Sequence, residues 1–223
     1  MRTLLVALML AGTLPAQVAG PANSAYQTKE GREQIASGLG GPDRDARQKP
    51  RQLVSVLELK QGMAVVDLGT GPGYMLPYLS EAVGPGGTVI AEDIQQDFLD
   101  KARDRARKAG LGNVNFVLGT DTDPKLPAGS ADLIFILDAY HHFDYPDQML
   151  AKLRAGLRPG GRMAIVEYYK RRGAMEGDPD RPLTHIRLDA GDLVKEVEAN
   201  GFRLLKRMDH IPGRQYIASF AMK

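Results

Sequence analysis

Three glycines at alternate positions follow a short apolar run in the segment VVDLGTGPGY, residues 65–74. The run ends in Asp67, and the glycines are Gly69, Gly71 and Gly73. Glycine adopts positive φ at little cost and lets a ligand approach the backbone closely. Between a strand and a helix, such a loop could hold a dinucleotide or another adenosine-bearing cofactor, or it could be a tight turn alone.

The spacing of the glycines and an acid further along the chain help to distinguish a dinucleotide from another adenosine-bearing cofactor. The dinucleotide fingerprint G-x-G-x-x-G requires its third glycine at position 74, where this sequence has Tyr74. A second apolar run ends in Asp93, which can accept hydrogen bonds from both hydroxyls of a ribose. Strand alternation is expected to turn its neighbour Glu92 to the other face. Because dehydrogenases also carry an acid at this point, Asp93 alone leaves a nicotinamide oxidoreductase open.

A second group of reactive side chains lies in DAYHH, residues 138–142. With an unperturbed pKa of about 6.5, His141 or His142 could take a proton from a hydroxyl, thiol or amine. Alternatively, these histidines face solvent, cap the next helix or pack in a wall. Asp138 could contact a cofactor or a substrate amine, or act only as a capping acid.

The elements that must position these residues alternate along the chain. Amphipathic helical segments are predicted at about 50–59, 73–83, 95–109, 146–157 and 190–200. Apolar runs predict strands at 64–68, 88–93, 114–118, 132–137, 163–168, 202–209 and 215–222, with a turn at 158–161 and a polar loop at 170–187.

Strands that alternate with helices and carry continuous apolar runs favour a parallel sheet covered on both faces. The last two strands have no helix between them and are expected to form an antiparallel hairpin. The predicted fold class is therefore α/β, with a three-layer, doubly wound, seven-stranded, mostly parallel sheet.

Taken in order, these motifs resemble the class I S-adenosylmethionine-dependent methyltransferases, among them the small domains of the type 11/25-like group. The resemblance rests on the D-x-G-x-G-x-G at 67–73, on Asp93, on GTDTDPKLPAGSADLIF at 119–135 and on LRAGLRPGGRMAIVEYY at 153–169. It covers about residues 52–170. It implies a Rossmann-like methyltransferase fold, methyl transfer as the activity and S-adenosyl-L-methionine as the cofactor.

The resemblance also implies which residues bind the cofactor. Asp121 would accept a hydrogen bond from the adenine amino group, and Thr122 would lie beside the ring. Asp67 would orient the loop or reach the cofactor's ammonium group, while the three glycines leave room beside the aminoacyl and ribose portions. The full set of implied cofactor-binding residues is Asp67, Gly69, Gly71, Gly73, Asp93, Asp121, Thr122 and Asp138.

The cofactor's methyl group is expected near the end of the fourth strand, so His141 and His142 are the candidates for catalysis. Tyr140, Glu167 and Tyr168 are expected to edge the substrate pocket. Amino-methylating enzymes of nucleic acids carry [DN]-P-P-[YF] where this sequence has DAYH, so a small-molecule substrate is favoured. Catechol-type enzymes carry an Asp-Asn pair where Glu167 and Tyr168 stand, so no metal is expected.

Two flanking segments could contribute to substrate binding. The basic loop at 170–187 suggests a small, acidic substrate, although a solvated loop explains its charge as well. The segment RDARQKP at 44–50 resembles the arm that closes over the cofactor in many of these enzymes. In that arm Arg44 or Arg47 could pair with a carboxylate, and Tyr26 could cover the site.

Composition excludes several function classes. The 223 residues include 29 Lys and Arg against 27 Asp and Glu, which gives a net charge of +2. That balance weighs against a nucleic-acid partner, which favours a concentrated basic face. The chain has no cysteine, so a disulfide framework, a thiol nucleophile and a cysteine-ligated metal are all excluded. The oligomeric state is left open.

Residues 1–20 have the layout of a secretory signal peptide. Arg2 precedes an apolar run from Leu4 to Leu14, and small residues follow at 18–20. The run is too short for a bilayer span of roughly 20 residues, so no membrane span is expected after leader removal. An ordinary apolar helix and a misassigned start codon are the alternatives. The protein is thus periplasmic or secreted if the leader is cleaved, and cytoplasmic if the start is misassigned.

The predicted organisation is a leader at 1–20, an arm over the cofactor site at 21–50 and a methyltransferase domain at 51–223. Because the cofactor is made in the cytoplasm, export also raises the alternative of a non-catalytic, cofactor-binding module of the same fold. An NAD(P)-dependent oxidoreductase is the further alternative.

Overall fold

The structure is a computed structural model that describes residues 17–223. These residues form one seven-stranded sheet in the order β3-β2-β1-β4-β5-β7-β6. The strands are β1 Ala64–Leu68, β2 Thr88–Asp93, β3 Val114–Leu118, β4 Ala131–Leu137, β5 Leu157–Tyr168, β6 Phe202–Ile211 and β7 Gln215–Met222. Strands β1 to β5 pair in parallel, and β7 pairs antiparallel with both β5 and β6. The predicted fold class and the antiparallel C-terminal hairpin are confirmed.

Helices cover both faces of this sheet. Helices α4, α5 and α6 pack on one face, and α7 and α9 pack on the other. Their bounds, and those of the shorter helices, are α1 Gly20–Asn23, α2 Lys29–Leu39, α3 Arg44–Gln48, α4 Pro50–Val56, α5 Leu76–Val83, α6 Gln96–Lys108, α7 Pro146–Gly156, α8 Arg181–His185 and α9 Ala190–Ala199.

Successive side chains of the central strands alternate between the apolar clusters on the two faces of the sheet. Val65 and Phe135 belong to the apolar cluster under α4, α5 and α6. Their chain neighbours Val66 and Ile136 belong to the cluster under α7 and α9. Successive strand residues point to opposite faces, so an unbroken apolar run is what a sheet buried on both sides requires.

The helix predicted to start at residue 73 starts at Leu76 instead. Gly71 and Gly73 have φ values of 56° and 78°, which a right-handed helix cannot include. The loop that precedes α5 is therefore longer than the helical pattern indicated.

The turn predicted at residues 158–161 lies within β5 as an irregularity. Leu157 pairs with Ala131, and the next pair is Arg162 with Leu133. Residues 158–161 therefore bulge out of the ladder between these two pairs. Strand β5 pairs with β4 on both sides of the bulge, which the local turn signal could not show.

The sequence predicts one helical stretch in the arm at 21–50, whereas α1, α2 and α3 all lie before residue 50. The predicted leader falls mostly outside the described residues. Of its last residues, Ala19 is buried and donates its backbone N–H to Asp144 Oδ1 at 3.0 Å. Within residues 17–223 no helix combines the length and the hydropathy needed to cross a membrane.

Asp132 joins three parts of the sheet at the start of β4. Its Oδ2 accepts from the backbone N–H of Ala64 at 2.8 Å, and Arg158 Nη1 lies 2.9 Å from both carboxylate oxygens. Arg158 Nη2 also donates to the carbonyl of Ser130 at 2.9 Å. Asp132 thus connects β4 to the first residue of β1 and to the bulge of β5.

Replacing Asp132 with alanine should lower the free energy of unfolding by about 1–3 kcal/mol, because the Ala64 N–H and the Arg158 guanidinium lose a shared acceptor. Urea denaturation followed by circular dichroism measures the change. Asp104→Ala is the matched control, since that acid forms only an exposed pair with Arg107. Equal urea midpoints for the two variants would contradict the proposed anchor.

Candidate active site

A cavity of 280 Å³ lies at the carboxyl ends of β1, β2 and β4. The chain runs outward from β1 through β2 to β3 and then returns to place β4 on the other side of β1. In doubly wound sheets ligands bind at such a reversal of strand order. The arm before β1 forms the opposite wall, through residues such as Asn23, Tyr26 and Arg44. We call this space the cofactor cavity.

The glycine loop contributes Gly69 and Gly71 to the cofactor cavity, but not Gly73. A Cβ atom on Gly69 would lie 2.8 Å from Ala139 Cβ, and one on Gly73 would lie 3.0 Å from Ala102 Cα in α6. Gly73 therefore lets the loop pack against α6. The room expected beside the cofactor comes from the first two glycines.

Asp93 lies on the cofactor cavity and braces the glycine loop. Its Oδ2 accepts from the N–H of Gly71 and its Oδ1 from the N–H of Gln95, both at 2.8 Å. Each oxygen keeps a further lone pair, so the carboxylate can still accept from two ribose hydroxyls. Burial raises the pKa of Asp93 to about 6.

Asp67 lies behind the loop and does not line the cavity. Its Oδ2 accepts from Thr70 Oγ1 at 2.6 Å, and burial raises its pKa to about 6. Of the two roles expected for Asp67, this geometry supports orientation of the loop.

Glu92 lines the cofactor cavity, although alternation along β2 predicted that it would face away. The side chain is buried, its Oε2 accepts from Gly69 N–H at 3.4 Å, and its Oε1 has no partner within residues 17–223. Burial raises its pKa well above the usual range for a glutamate. The strand ends one residue later, and the period-two rule does not extend to such a terminus.

The cofactor cavity is also lined by Asp121, Ile94 and Phe98. Asp121 is where the sequence predicts an acceptor for an adenine amino group. Thr122 is not among the lining residues, and its Oγ1 lies 3.5 Å from Thr120 Oγ1.

The arm closes the cofactor cavity through Tyr26 and Arg44. The Tyr26 ring meets the His142 ring edge-on at 4.8 Å between centroids and the Phe98 ring at 6.0 Å. The Arg44 guanidinium lies 4.0 Å from the centre of the Tyr74 ring. Burial lowers the pKa of Arg44, and Asp138 and Asp67 oppose that shift.

A second cavity of 150 Å³ adjoins the first, and Arg44 and Asp138 line both. It lies at the ends of β4, β5 and β7, where Tyr168 and Gln215 face it. The rest of its polar wall consists of three arginines, one glutamate and one glutamine: Arg47, Arg181, Arg214, Glu176 and Gln48.

Asp138 stands where the two cavities meet. It adopts a φ of 51°, and its Oδ1 accepts from Gln215 Nε2 at 2.7 Å. Burial, with the nearby charge of Glu167, raises the pKa of Asp138 to about 7. A carboxylate with this pKa can exchange a proton near neutrality.

The two candidate catalytic histidines occupy different environments. His142 lines the cofactor cavity, while His141 lines neither cavity and is held by Glu167 Oε2 at 2.7 Å from its Nδ1. Burial, together with His141 and His185, lowers the pKa of His142 well below its usual value, so its ring is neutral. His142 therefore remains a candidate base. His141 is buried outside both cavities and is not positioned to act on a bound ligand.

Only one of the three expected substrate residues borders the second cavity, namely Tyr168. Tyr140 is buried and donates to Glu196 Oε1 at 2.6 Å. Glu167 is buried and is occupied by His141 and by the N–H of Tyr168. Neither Tyr140 nor Glu167 lines one of the two cavities.

Known methyltransferases are similar to the central part of this chain. A family model described as a methyltransferase domain matches residues 65–161. Nocamycin O-methyltransferase of Saccharothrix syringae is 34% identical over 116 residues, which cover 52% of this chain and 41% of that protein. The ubiquinone/menaquinone biosynthesis C-methyltransferase UbiE of Vibrio vulnificus is 33% identical over 112 residues, which cover 50% and 43%. The chain thus spans less than half the length of these curated relatives.

Solved structures agree over more of the chain. A SAM-dependent methyltransferase from Aquifex aeolicus superposes with a TM-score of 0.77 at 27% identity, over 84% of this chain and 96% of that one. The mitomycin 7-O-methyltransferase MmcR shares the fold, with a TM-score of 0.72 at 16% identity over 91% and 60%. Residues 65–161 therefore match a methyltransferase domain, and the chain shares the fold of a solved S-adenosylmethionine-dependent methyltransferase. The cofactor is S-adenosyl-L-methionine.

Cofactor affinity is expected to fall as the pH drops through the pKa of Asp93. The ionised carboxylate can accept from both ribose hydroxyls, and burial places its pKa at about 6. Between about pH 7 and about pH 5, the dissociation constant of S-adenosylhomocysteine should therefore rise about tenfold. Isothermal titration calorimetry measures this constant directly.

Asp93→Asn should bind S-adenosylhomocysteine more weakly at neutral pH and lose that tenfold change. Asp100→Asn is the matched control, because Asp100 lies on the exposed side of α6 and accepts only from Gln96. If Asp93→Asn keeps the affinity and the pH profile of the parent chain, Asp93 does not bind the ribose.

Proposed function

We propose that this chain transfers the methyl group of S-adenosyl-L-methionine to a small, anionic molecule held in the second cavity. The observation that carries the proposal is the shared wall, since Asp138 and Arg44 line both cavities. An acceptor atom beside Asp138 can thus approach the cofactor without entering the cofactor cavity. Methyl transfer requires such an in-line approach, because the cofactor's methyl group is already activated.

The size and charge of the second cavity support a small acid as the acceptor. Its 150 Å³ is close to the volume of an engineered cavity that binds benzene. Glu176 Oε2 lies 2.7 Å from Arg47 Nη1, and its Oε1 lies 3.4 Å from Arg214 Nη1. A carboxylate of the acceptor could replace Glu176 in these pairs, since guanidinium groups bind carboxylates and phosphates in forked geometry.

Arg181 adds a further positive charge to this cavity from the first position of α8. Within residues 17–223, Arg181 forms no ion pair and no side-chain hydrogen bond with the protein. An acceptor that brings a negative charge would provide the missing partner. Four arginines line this cavity against two carboxyl groups, those of Asp138 and Glu176, and this excess of positive charge favours an anion over a neutral molecule.

Asp138 is the proton acceptor that the geometry supports best. Its pKa of about 7 allows it to take a proton from a hydroxyl or amine as the methyl group arrives. His142 is the second candidate, because its neutral ring borders the cofactor cavity. The position of Asp138 between the two cavities favours the carboxylate.

Export is part of this proposal. The layout of residues 1–20 supports a secretory leader, and a cut after Gly20 would remove the contact of Ala19 with Asp144. It would leave Asn23, whose side chain bonds to His142 and Asp144, in place. Amino-terminal sequencing of the mature protein distinguishes a periplasmic or secreted chain from a cytoplasmic one.

Turnover should depend on the charge of the acceptor. A panel of small hydroxy- and amino-carboxylates is compared with the matching neutral amides, and release of S-adenosylhomocysteine is measured. Arg181→Ala should raise the KM for an active acid about tenfold, the cost of one charged hydrogen bond. Arg172→Ala is the control in the same loop, since Arg172 forms an exposed pair with Asp180 and lines neither cavity.

Equal turnover of acids and amides would contradict an anionic acceptor. Binding of S-adenosylhomocysteine without turnover of any panel member would favour the non-catalytic, cofactor-binding module.

With an active acceptor in hand, Asp138→Asn should lower kcat by about 100-fold or more, because the amide keeps an oxygen for Gln215 but cannot take a proton. Calorimetry with S-adenosylhomocysteine shows whether the cofactor still binds. Asp209→Asn, at the exposed edge of the sheet, serves as control. An unchanged kcat for Asp138→Asn would mean that Asp138 is not the base, and His142 would be the next residue to test.

A further inference from the structure

Three histidines from two separate parts of the chain meet beside the cofactor cavity. His141 and His142 follow β4, and His185 ends α8. One ring nitrogen from each lies within 4.8 Å of those of the other two. The ring centroids are 4.1 Å apart for His141 and His142, and 4.8 Å and 5.6 Å from these to His185. We call this group the histidine cluster.

The hydrogen bonds of His141 assign its proton to one nitrogen. Its Nδ1 lies 2.7 Å from Glu167 Oε2 in a fully buried pair, so Nδ1 carries the hydrogen. Its Nε2 is then a lone pair, and this buried atom has no hydrogen-bond partner within residues 17–223. A carboxylate behind Nδ1 is the usual support for a histidine that binds a metal through the other nitrogen.

The orientation of His142 follows from Asn23 in the same way. The Asn23 amide nitrogen donates to the His142 carbonyl and to Asp144 Oδ2, both at 3.0 Å. Its oxygen therefore faces His142 Nδ1, at 2.8 Å, and accepts that ring's hydrogen. The lone pair of His142 is left on Nε2, whose nearest polar contact is Tyr26 Oη at 3.4 Å.

Two carboxylates lie near the cluster and would offset part of the charge of a bound cation. Glu167 Oε2 contacts His141 directly, at 2.7 Å from its Nδ1. Asp144 is linked to His142 through Asn23, whose amide bonds to both residues.

We propose that the histidine cluster binds one divalent transition-metal ion of the zinc type. Nε2 of His141, Nε2 of His142 and a ring nitrogen of His185 are the ligands. Once the metal is bound, His142 has no free lone pair, and the role of base falls to Asp138. Zn–N bonds of about 2.0–2.1 Å in a tetrahedral site set the nitrogens about 3.3 Å apart, so the group must tighten from its present spread. Imidazole ligands suit zinc, copper, nickel and cobalt, and three of them leave one coordination position open.

Metal binding would tie α8 to the end of β4. Helix α8 begins with Arg181 on the second cavity and ends with His185 in the cluster. An ion held by His185 therefore fixes the helix that carries one of the arginines. The sequence-based expectation of no metal rested on the Asp-Asn motif of catechol-type enzymes and did not consider a ligand from residues 181–185.

Cobalt titration of the untagged full chain tests the site. After treatment with EDTA and dialysis, one equivalent of Co²⁺ should produce the visible absorption of a tetrahedral site, and Zn²⁺ should abolish it. His185→Ala should weaken Co²⁺ binding at least tenfold. His210→Ala is the matched control, because the fourth histidine of the chain lies outside the cluster and bonds to the Gln48 carbonyl at 2.7 Å.

Calorimetry with S-adenosylhomocysteine confirms that each variant is folded, and His185→Gln replaces His185→Ala if the latter is not. The proposal is overturned if the parent chain shows no tetrahedral Co²⁺ spectrum, or if both histidine variants bind Co²⁺ equally. The titration needs no methyl acceptor. If no member of the acceptor panel were methylated, the cobalt titration would therefore still test the metal site.

Discussion

The hydrogen bond from the Gly71 N–H to Asp93 is the contact on which the cofactor site depends. It joins the end of β2 to the loop after β1, across the point where strand order reverses. The loop reaches Asp93 only because Gly69, Gly71 and Gly73 all adopt positive φ. Because of these φ values, α5 begins only at Leu76. The backbone of Gly69 and Gly71 lines the cavity instead of continuing a helix.

Much of the fold follows from local pattern, whereas much of the site does not. The sequence placed six of the seven strands within two residues, and β5 begins six residues earlier than predicted. The central strands were the clearest, because a strand covered on both faces must be apolar throughout. Asp93 and Gly69 were predicted to lie at the site because each lies directly at the end of a strand, whereas Asp121, three residues past β3, was indicated by the family resemblance. The bulge in β5 was missed because it depends on pairing with β4 and has no local signal.

Residues that reach the site from distant elements were harder to find. Asn23, Gln215 and His185 contact the ends of the parallel strands, yet no spacing in the sequence relates them to those ends. Glu92 was assigned to the wrong face because the period-two rule weakens at the last residues of a strand. Expectations based on strand ends therefore identified several residues that line the cofactor cavity, and they missed most of the residues that line the second cavity.

The buried acids around the cofactor cavity have a consequence for release of the product. Glu92, Asp93 and Asp138 line it, while Arg44 is the only basic side chain in its lining among the described residues. The methyl donor carries a positive sulfonium, and the thioether product does not. The ionised carboxylates of Asp93 and Asp138, whose pKa values are about 6 and about 7, would hold such a donor more firmly than its product. In the proposed reaction, this wall would oppose product inhibition and favour exchange for a fresh donor.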